Sequence, residues 1–164
     1  MITYINGDAT SPQGDGPKII AHICNINGGW GAGFVLALSR KWSEPEAEYR
    51  EWFANKEFIN PDGEDIIFEL GNIQIVSVGN NTYVCNMLSQ SGYLNNETIP
   101  LQYDALEECL TKLGEIANRL KATIHMPRIG CALAGGKWSL VEPIIKRTLA
   151  GIPVTVYDYG KFNE

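Results

Sequence analysis

The chain has 164 residues, of which 45% are hydrophobic and 20% are charged, a composition typical of a globular protein rather than a disordered one. The length suits one domain with a sizeable core, so we expect a single domain over residues 1–164. A net charge of -6 argues against general binding to nucleic acid, which needs clustered Lys and Arg. No apolar run has the length of a membrane span and the first residues lack a signal-peptide pattern, so we expect a cytoplasmic protein with no membrane partner.

The four cysteines are far apart and predict neither a disulfide framework nor a zinc site. No C-x-x-C pair occurs, and only His22 and His125 are available to complete a set of zinc ligands. Each histidine lies in an apolar run typical of a buried strand, so we interpret both as core residues rather than general bases. We therefore expect no metal and no cofactor.

Strands alternate with helices along the chain. Apolar and β-branched runs predict strands over residues 2–6, 18–24, 66–70, 73–78, 83–87, 122–126 and 152–157. Helical spacing predicts helices over residues 34–42, 43–54, about 100–120 and 139–150. The S-x-x-E spacing predicts a capping box at Ser43 and another at Ser139, and residues 60–65 and 88–98 are expected to be loops. This order is typical of an α/β sandwich that contains parallel strands.

Two glycine-rich loops each follow a predicted strand and precede a predicted helix. They are NINGGWGAG at residues 25–33 and PRIGCALAGGKW at residues 127–138. Glycines allow a backbone to turn sharply and expose N–H groups, so the second loop predicts an anion site, usually for phosphate. The second loop is not a P-loop, since Cys131 stands where that motif needs glycine. The first is not a Rossmann fingerprint, because its glycines at 29, 31 and 33 are spaced by twos.

Polar and aromatic side chains accompany these loops at strand ends, where parallel sheets bind ligands. Asn25 and Asn27 could bind sugar hydroxyls or orient a water, or they could satisfy a turn. Ser89 and Gln90 follow the predicted hairpin strand and could bind a ligand or stay solvated. Trp30, flanked by glycines, could cover a ribose or gate the crevice.

Three further residues have competing interpretations. Asp8 could accept hydrogen bonds from an exocyclic amine such as that of adenine, although an Asx turn is the commoner role. Tyr157 ends the last strand, where its ring could stack on a base or pack in the core. Cys131 lies in the second glycine loop, but no histidine can be placed beside it, so we do not interpret it as a nucleophile.

The sequence resembles the macrodomain family. The segments that carry the resemblance are GDAT, AHICNINGGWGAGF, NMLSQ and PRIGCALAGGKW, which occur in the family's order. The resemblance covers nearly the whole chain and is most specific in the two glycine loops. It is closest to the branch that includes the terminal ADP-ribose glycohydrolases and related bacterial ADP-ribose-processing proteins. It implies a three-layer α/β/α sandwich with a mixed central sheet, and a partner that is ADP-ribose or an ADP-ribosylated macromolecule.

The resemblance also implies a set of ligand-binding residues. By position, Asp8, Ala9 and Tyr157 would lie at the adenine, the first glycine loop and Gln90 at the distal ribose, and the second glycine loop at the diphosphate. The full set is Asp8, Ala9, Asn25, Asn27, Gly29, Trp30, Gly31, Gly33, Ser89, Gln90, Arg128, Ile129, Gly130, Cys131, Ala132, Leu133, Ala134, Gly135, Gly136 and Tyr157.

The activity that the resemblance implies is hydrolysis of an ADP-ribosyl bond at C1″ of the distal ribose. The acceptor would be an acidic side-chain ester or a nucleic-acid base. The glycohydrolase type member uses a lysine nucleophile and an aspartate, and the corresponding positions here are Leu88 or Ser89, and Ala134. Lys137 does not match either position.

Without that pair, we expect direct attack by water, with the bound diphosphate serving as a base. The candidate catalytic residues, which would orient the water, are Asn25, Asn27 and Gln90. Two alternatives remain open: a non-catalytic module that binds ADP-ribose, and a phosphatase that acts on ADP-ribose 1″-phosphate.

Overall fold

The computed structural model describes residues 1–95 and 97–160, which form eight strands and four helices. The strands are β1 (Ile2–Asn6), β2 (Lys18–Asn25), β3 (Glu57–Ile59), β4 (Asp65–Ile67), β5 (Ile73–Gly79), β6 (Thr82–Gln90), β7 (Thr123–Met126) and β8 (Val154–Asp158). The helices are α1 (Phe34–Lys41), α2 (Glu44–Asn55), α3 (Tyr103–Leu120) and α4 (Trp138–Thr148). Within the described ranges, no helix combines the length and apolarity needed to span a membrane.

Six of these strands form one mixed sheet in the order β1-β8-β7-β2-β6-β5. All neighbouring pairs are parallel except β5 and β6, which form an antiparallel hairpin. Asn80 and Asn81 form its turn with φ of 52° and 57°, the left-handed conformation that such hairpins favour. The predicted hairpin is therefore confirmed.

The helices cover both faces of the sheet. Alternation along β2 directs Ile19 and Ala21 to one face and Ile20 and Cys24 to the other. The first pair packs with α3 and α4, whereas the second packs with α1 and α2. The predicted three-layer α/β/α sandwich with a mixed central sheet is confirmed.

Two strand predictions were wrong. Strand β6 continues to Gln90, so the predicted loop begins three residues too early. Leu88 and Ser89 are buried, and the ladder with β2 runs on until Asn25 pairs with Gln90. The predicted strand over 66–70 is only the short β4, which pairs with the unpredicted β3 in a separate sheet. After Ile67 the chain leaves its pairing with β3 and reaches a turn at Gly71, where φ is 94°.

Neither predicted capping box forms. Ser43 precedes α2 with helical backbone angles, and its side chain makes no capping hydrogen bond. Glu46, its expected partner, accepts instead from Arg50 and from the Ser39 hydroxyl, each at 2.8 Å. Helix α4 begins at Trp138, so the serine at 139 already lies in its first turn. The remaining helices and strands agree with the sequence to within a few residues at their ends.

The two histidines are buried as predicted. Asn86 donates to the Pro45 carbonyl (3.2 Å) and to Gln74 Oε1 (3.0 Å), so its own oxygen accepts from His22 Nε2 at 2.6 Å. His125 Nδ1 lies 2.7 Å from the Tyr157 hydroxyl. Burial lowers the pKa of each histidine from its ordinary 6.5 to about 4, so both are neutral near pH 7.

These depressed pKa values predict that stability falls with acidification. Each histidine binds its proton more weakly when folded, so its stabilising effect is complete above pH 6.5 and declines as the pH falls towards 4. We expect the free energy of unfolding to drop by about 2 kcal/mol per histidine between pH 7 and pH 5, measured by urea unfolding. His125→Gln should remove about half of this dependence. A free energy of unfolding that stays constant over this range would contradict the assignment.

Candidate functional site

A cleft of about 430 Å³ lies at the carboxyl ends of β2, β6 and β7. Three loops form it: the first glycine loop (residues 25–33), the second glycine loop (residues 127–137) and the rim loop between β6 and α3 (residues 91–95 and 97–102). These strands are parallel neighbours, so their carboxyl ends share one edge of the sheet. The structure therefore brings together the two glycine loops that the sequence singled out.

Many of the predicted ligand-binding residues line this cleft. They are Asn25, Gly29, Trp30, Gly31, Gly33, Gln90, Arg128, Ile129, Gly130, Ala132, Leu133 and Ala134. The other predicted residues are not part of its lining: Asp8, Ala9, Asn27, Ser89, Cys131, Gly135, Gly136 and Tyr157.

The predicted adenine residues lie beyond one end of the cleft, beside the edge formed by β1 and β8. Asp8 Oδ1 accepts from the backbone N–H and the hydroxyl of Thr10, both at 2.8 Å, as in an Asx turn. Tyr157 is buried, and its hydroxyl accepts from the Gln13 N–H at 2.9 Å and contacts His125. Because Tyr157 is only 2% exposed, its ring is not accessible for stacking on a ligand.

The second glycine loop has backbone N–H groups without an acceptor among the described residues. Its own turns use the N–H groups of Gly135 and Gly136, which donate within the loop at 3.1 Å and 2.7 Å. No described residue accepts from the N–H groups of Ala132, Leu133 or Ala134, which line the cleft. Such a run of unpaired N–H groups favours an anion.

The glycines of this loop are explained by the backbone of the loop itself. Gly130 and Gly135 have left-handed φ of 76° and 72°, and a Cβ at Gly136 would lie 2.6 Å from the Gly130 carbonyl oxygen. A Cβ at Gly130 or Gly136 would also overlap the Leu101 side chain, and one at Gly135 would overlap Leu94. Gly31 in the first loop differs, because it lines the cleft and a Cβ there would meet no atom within 4 Å. The rim loop thus fixes the shape of the second loop, and the space opposite Gly31 is available to a ligand.

The helix N-terminus at the cleft belongs to α1, whereas the sequence pointed to α4. Phe34 and Val35 begin α1 and line the cleft, and Gly33 precedes them without a side-chain cap. The uncapped N–H groups and the helix dipole favour a negative charge at this position. The first turn of α4 instead faces a separate depression beside Tyr4 and Glu142.

Arg128 supplies the positive charge at the cleft. Its Nε lies 2.8 Å from Asp158 Oδ1, and the pair is largely buried at 17% and 13% side-chain exposure. The guanidinium also lies over the rings of Tyr4 and Trp138, at 5.1 Å and 5.3 Å from their centroids. Among the residues that line the cleft, none is Asp, Glu or Lys. Within the described ranges, His, Cys, Asp and Glu form no group of three that could hold a metal ion.

Two of the predicted catalytic residues converge on the backbone of Gly92. Asn25 Nδ2 donates to the Gly92 carbonyl at 2.8 Å, and Asn25 Oδ1 accepts from the Gly92 N–H at 3.0 Å. Gln90 Nε2 donates to the same carbonyl at 2.9 Å. We call this arrangement the Gly92 clip. Asn27, the third predicted residue, accepts from the Gly29 N–H at 2.8 Å and lies outside the lining.

The sequence interpretation missed Tyr93. It follows Gly92 directly, and its side chain lines the cleft although it is 63% exposed. Its position next to a glycine, three residues beyond Gln90, was the available signal. The sequence pattern predicts a polar loop over this segment and gives no weight to the aromatic residue within it.

Comparison with known proteins decides the family. A solved protein of unknown function from Bacteroides thetaiotaomicron is 50% identical, with a TM-score of 0.88 over 96% of this chain and 98% of that chain. A solved macrodomain protein from Streptomyces coelicolor is 46% identical, with a TM-score of 0.82 over 98% of this chain and 100% of that chain. The chain belongs to the macrodomain family. No family model matches it.

The macrodomain is also similar to curated proteins, some of which are much longer than this chain. The chromodomain-helicase-DNA-binding protein 1-like of Mus musculus is 32% identical over 98% of this chain, and that of Danio rerio is 31% identical over 98%. This chain spans only 18% and 16% of those relatives. The ADP-ribose 1″-phosphate phosphatase of Saccharomyces cerevisiae is 23% identical over 95% of this chain and 97% of that protein.

One structural neighbour holds a ligand. DarTG of Thermosipho africanus, solved in complex with ADP-ribose, is 19% identical with a TM-score of 0.64 over 85% of this chain and 37% of that chain. At this identity the likeness shows a shared fold. None of the comparisons separates the branches of the family, so closeness to the terminal ADP-ribose glycohydrolases stays a prediction.

The Gly92 clip predicts that Asn25 stabilises the rim of this macrodomain. Asn25→Ala removes both hydrogen bonds to Gly92 and leaves its N–H group without its acceptor. We expect a loss of about 1–3 kcal/mol in the free energy of unfolding, with faster hydrogen exchange at the Gly92 amide. Asn27→Ala, which removes one exposed contact, is the matched control and should change both quantities little. Unchanged exchange at Gly92 in Asn25→Ala would contradict the clip.

Proposed function

We propose that this macrodomain binds ADP-ribose in the cleft and hydrolyses ADP-ribosyl bonds at C1″ of the distal ribose. The observation that carries the proposal is the row of unpaired N–H groups at residues 132–134, opposite the uncapped N-terminus of α1. The two sets of donors face one cleft and suit a diphosphate. The ADP-ribose complex of a protein with the same fold supports this ligand.

The sheet order supports one orientation of the ligand. Adenine would lie towards β1 and β8, where Asp8 and Ala9 follow β1. The diphosphate would contact the second glycine loop, which follows β7. The distal ribose would then lie over the carboxyl ends of β2 and β6, beside Asn25 and Gln90.

The cleft favours a mechanism in which water attacks directly. No described Asp, Glu or Lys lines the cleft, so the described lining offers no carboxylate or amine as nucleophile or base. His22 lies in the cleft wall, with Nε2 bonded to Asn86 and no described partner at Nδ1, but burial lowers the pKa of His22 to about 4 and so makes it a weak base. Water would therefore form the new bond to C1″ and pass its proton to a diphosphate oxygen as the bond to the acceptor breaks. Orientation by the bound ligand would supply much of the rate.

The same scarcity of proton donors favours particular acceptors. A leaving carboxylate has a pKa near 4 and departs without prior protonation. A nucleobase nitrogen is a poorer leaving group and benefits from a general acid. We therefore favour an ADP-ribosyl ester of an acidic side chain over an ADP-ribosylated base. The protein's net charge of -6 also disfavours nucleic acid as the carrier of the modification.

A second activity is compatible with the same chemistry. Phosphate also departs from C1″ as an anion, so attack at C1″ of ADP-ribose 1″-phosphate yields ADP-ribose and phosphate. The similarity to a yeast ADP-ribose 1″-phosphate phosphatase over nearly the whole chain favours this candidate. A non-catalytic ADP-ribose-binding module is the remaining alternative, supported by Ala134 at the position of the family's catalytic aspartate.

Gly31→Glu tests the binding site. Gly31 has room for a side chain and no left-handed φ, so the variant should fold, while its carboxylate would repel the diphosphate. We expect ADP-ribose affinity, measured by calorimetry, to fall at least about tenfold, equivalent to 1.4 kcal/mol. Ser77→Glu, on the exposed face of β5 near the opposite end of the sheet, adds the same charge and should leave affinity unchanged. Equal ADP-ribose affinity in the two variants would show that the cleft is not the binding site.

Hydrolysis in ¹⁸O-labelled water tests the mechanism. The substrates are a peptide carrying an ADP-ribosyl glutamate ester and ADP-ribose 1″-phosphate. Attack at C1″ should release unlabelled carboxylate and unlabelled phosphate, both read by mass spectrometry. Label in the phosphate would show attack at phosphorus, and label in the carboxylate would show attack at the acyl carbon. Calorimetric binding of ADP-ribose without release from either substrate would identify a non-catalytic module.

A further inference from the structure

The Gly92 clip has a consequence for the neighbouring residue. Three hydrogen bonds, from Asn25 and Gln90, fix the backbone of Gly92, whose φ of 83° turns the chain back over the cleft. The side chain of Tyr93 is thereby directed across the end of the cleft that lies above β2 and β6. The conformation of the rim loop at Gly92 is thus held by two strand-end amides.

The Tyr93 hydroxyl reaches the first glycine loop on the opposite side. A Cβ placed on Gly29 would overlap that hydroxyl oxygen and lie 3.0 Å from Asn27 Oδ1. No described residue forms a hydrogen bond with the Tyr93 hydroxyl, which is exposed to the cleft. Asn25, by contrast, is only 5% exposed, and its side-chain oxygen already accepts from Gly92 and Asn27. Tyr93 therefore carries an unused donor at this end of the cleft.

We propose that Tyr93 contacts the substrate and selects ligands that carry a second ribose, while Asn25 and Gln90 act as positioning residues through Gly92. The proposal rests on the proposed function, because it takes the end of the cleft beneath Tyr93 as the site of the distal ribose. There the phenolic hydroxyl donates a hydrogen bond to a hydroxyl of that sugar. A ligand that ends at the diphosphate does not extend to Tyr93.

A comparison of two ligands separates this role from a structural one. ADP-ribose contains the distal ribose and ADP lacks it. For Tyr93→Phe we expect ADP-ribose affinity, measured by calorimetry, to fall about three- to tenfold, the usual effect of one hydrogen bond, and ADP affinity to stay unchanged. Tyr83→Phe removes the same group from β6 near its other end, outside the cleft lining, and should bind both ligands as the wild type does.

Gly29→Ala provides an independent test of the geometry. The position has no left-handed φ, and the new methyl group would displace the Tyr93 hydroxyl. The single variant should weaken ADP-ribose binding and spare ADP. Added to Tyr93→Phe, the same change should have little further effect, since the displaced group is already gone.

Each outcome decides a separate point. Tyr93→Phe with wild-type ADP-ribose affinity overturns the contact, and equal losses for ADP and ADP-ribose assign Tyr93 a merely structural role. Additive effects of Gly29→Ala and Tyr93→Phe would contradict the coupling across the cleft. If the wild-type protein binds neither ligand, the proposed function fails and this inference fails with it.

Discussion

The parallel pairing of β2 with β6 is the interaction on which the cleft depends. Both strands are almost wholly buried between helical layers, and their ladder runs from Lys18 to Asn25. The register slips once, so Cys24 pairs with Leu88 but Asn25 pairs with Gln90. This bulge places two side-chain amides side by side at the strand ends, where both reach Gly92. A regular ladder would have placed Ser89 opposite Asn25.

The loops of the cleft pack against one another where leucine side chains of one loop lie against glycines of another. Leu101 of the rim loop lies against Gly130 and Gly136, and Leu133 of the second loop lies against Gly33 of the first. Gly33 and Gly130 also have left-handed φ, and Gly136 lies close to the Gly130 carbonyl oxygen, so glycine suits all three positions. The exposed N–H groups at residues 132–134 are therefore held in place before any ligand arrives, which lowers the cost of ordering on binding.

The sequence predicted the layers and the cleft better than it predicted the contacts inside the cleft. Hydrophobic runs identified the central strands because burial on both faces leaves a signal that local chemistry does not obscure. The box at Ser139 failed because α4 already begins at Trp138, and the box at Ser43 failed because Glu46 pairs with Arg50, one turn further along α2. Spacing alone cannot show where a helix begins or from which donor a carboxylate will accept.

The same limit explains the catalytic candidates and Tyr93. Residue type and strand-end position predict that Asn25 and Gln90 are functional. In the structure, both side-chain amides form hydrogen bonds with the backbone of Gly92, just beyond the end of β6. That contact joins residues 67 positions apart in the chain, which no local pattern encodes. Tyr93 follows Gly92 directly, so its position depends on this long-range contact, which its residue type in a polar loop does not indicate.

The one described cationic side chain in the cleft lining, Arg128, is paired with a carboxylate. Arg128 is neutralised by Asp158, and the two partly buried partners satisfy each other before an anion binds. In the proposed complex, the diphosphate would therefore meet oriented N–H dipoles rather than a net positive field, as suits a protein of net charge -6. Burial lowers the pKa of His22, the one described histidine in the cleft wall, to about 4 and makes it a weak base, so in the proposed reaction a diphosphate oxygen takes the proton from water. Such a site acts best on bonds whose leaving group departs as an anion, and the identity of that leaving group then sets the substrate range.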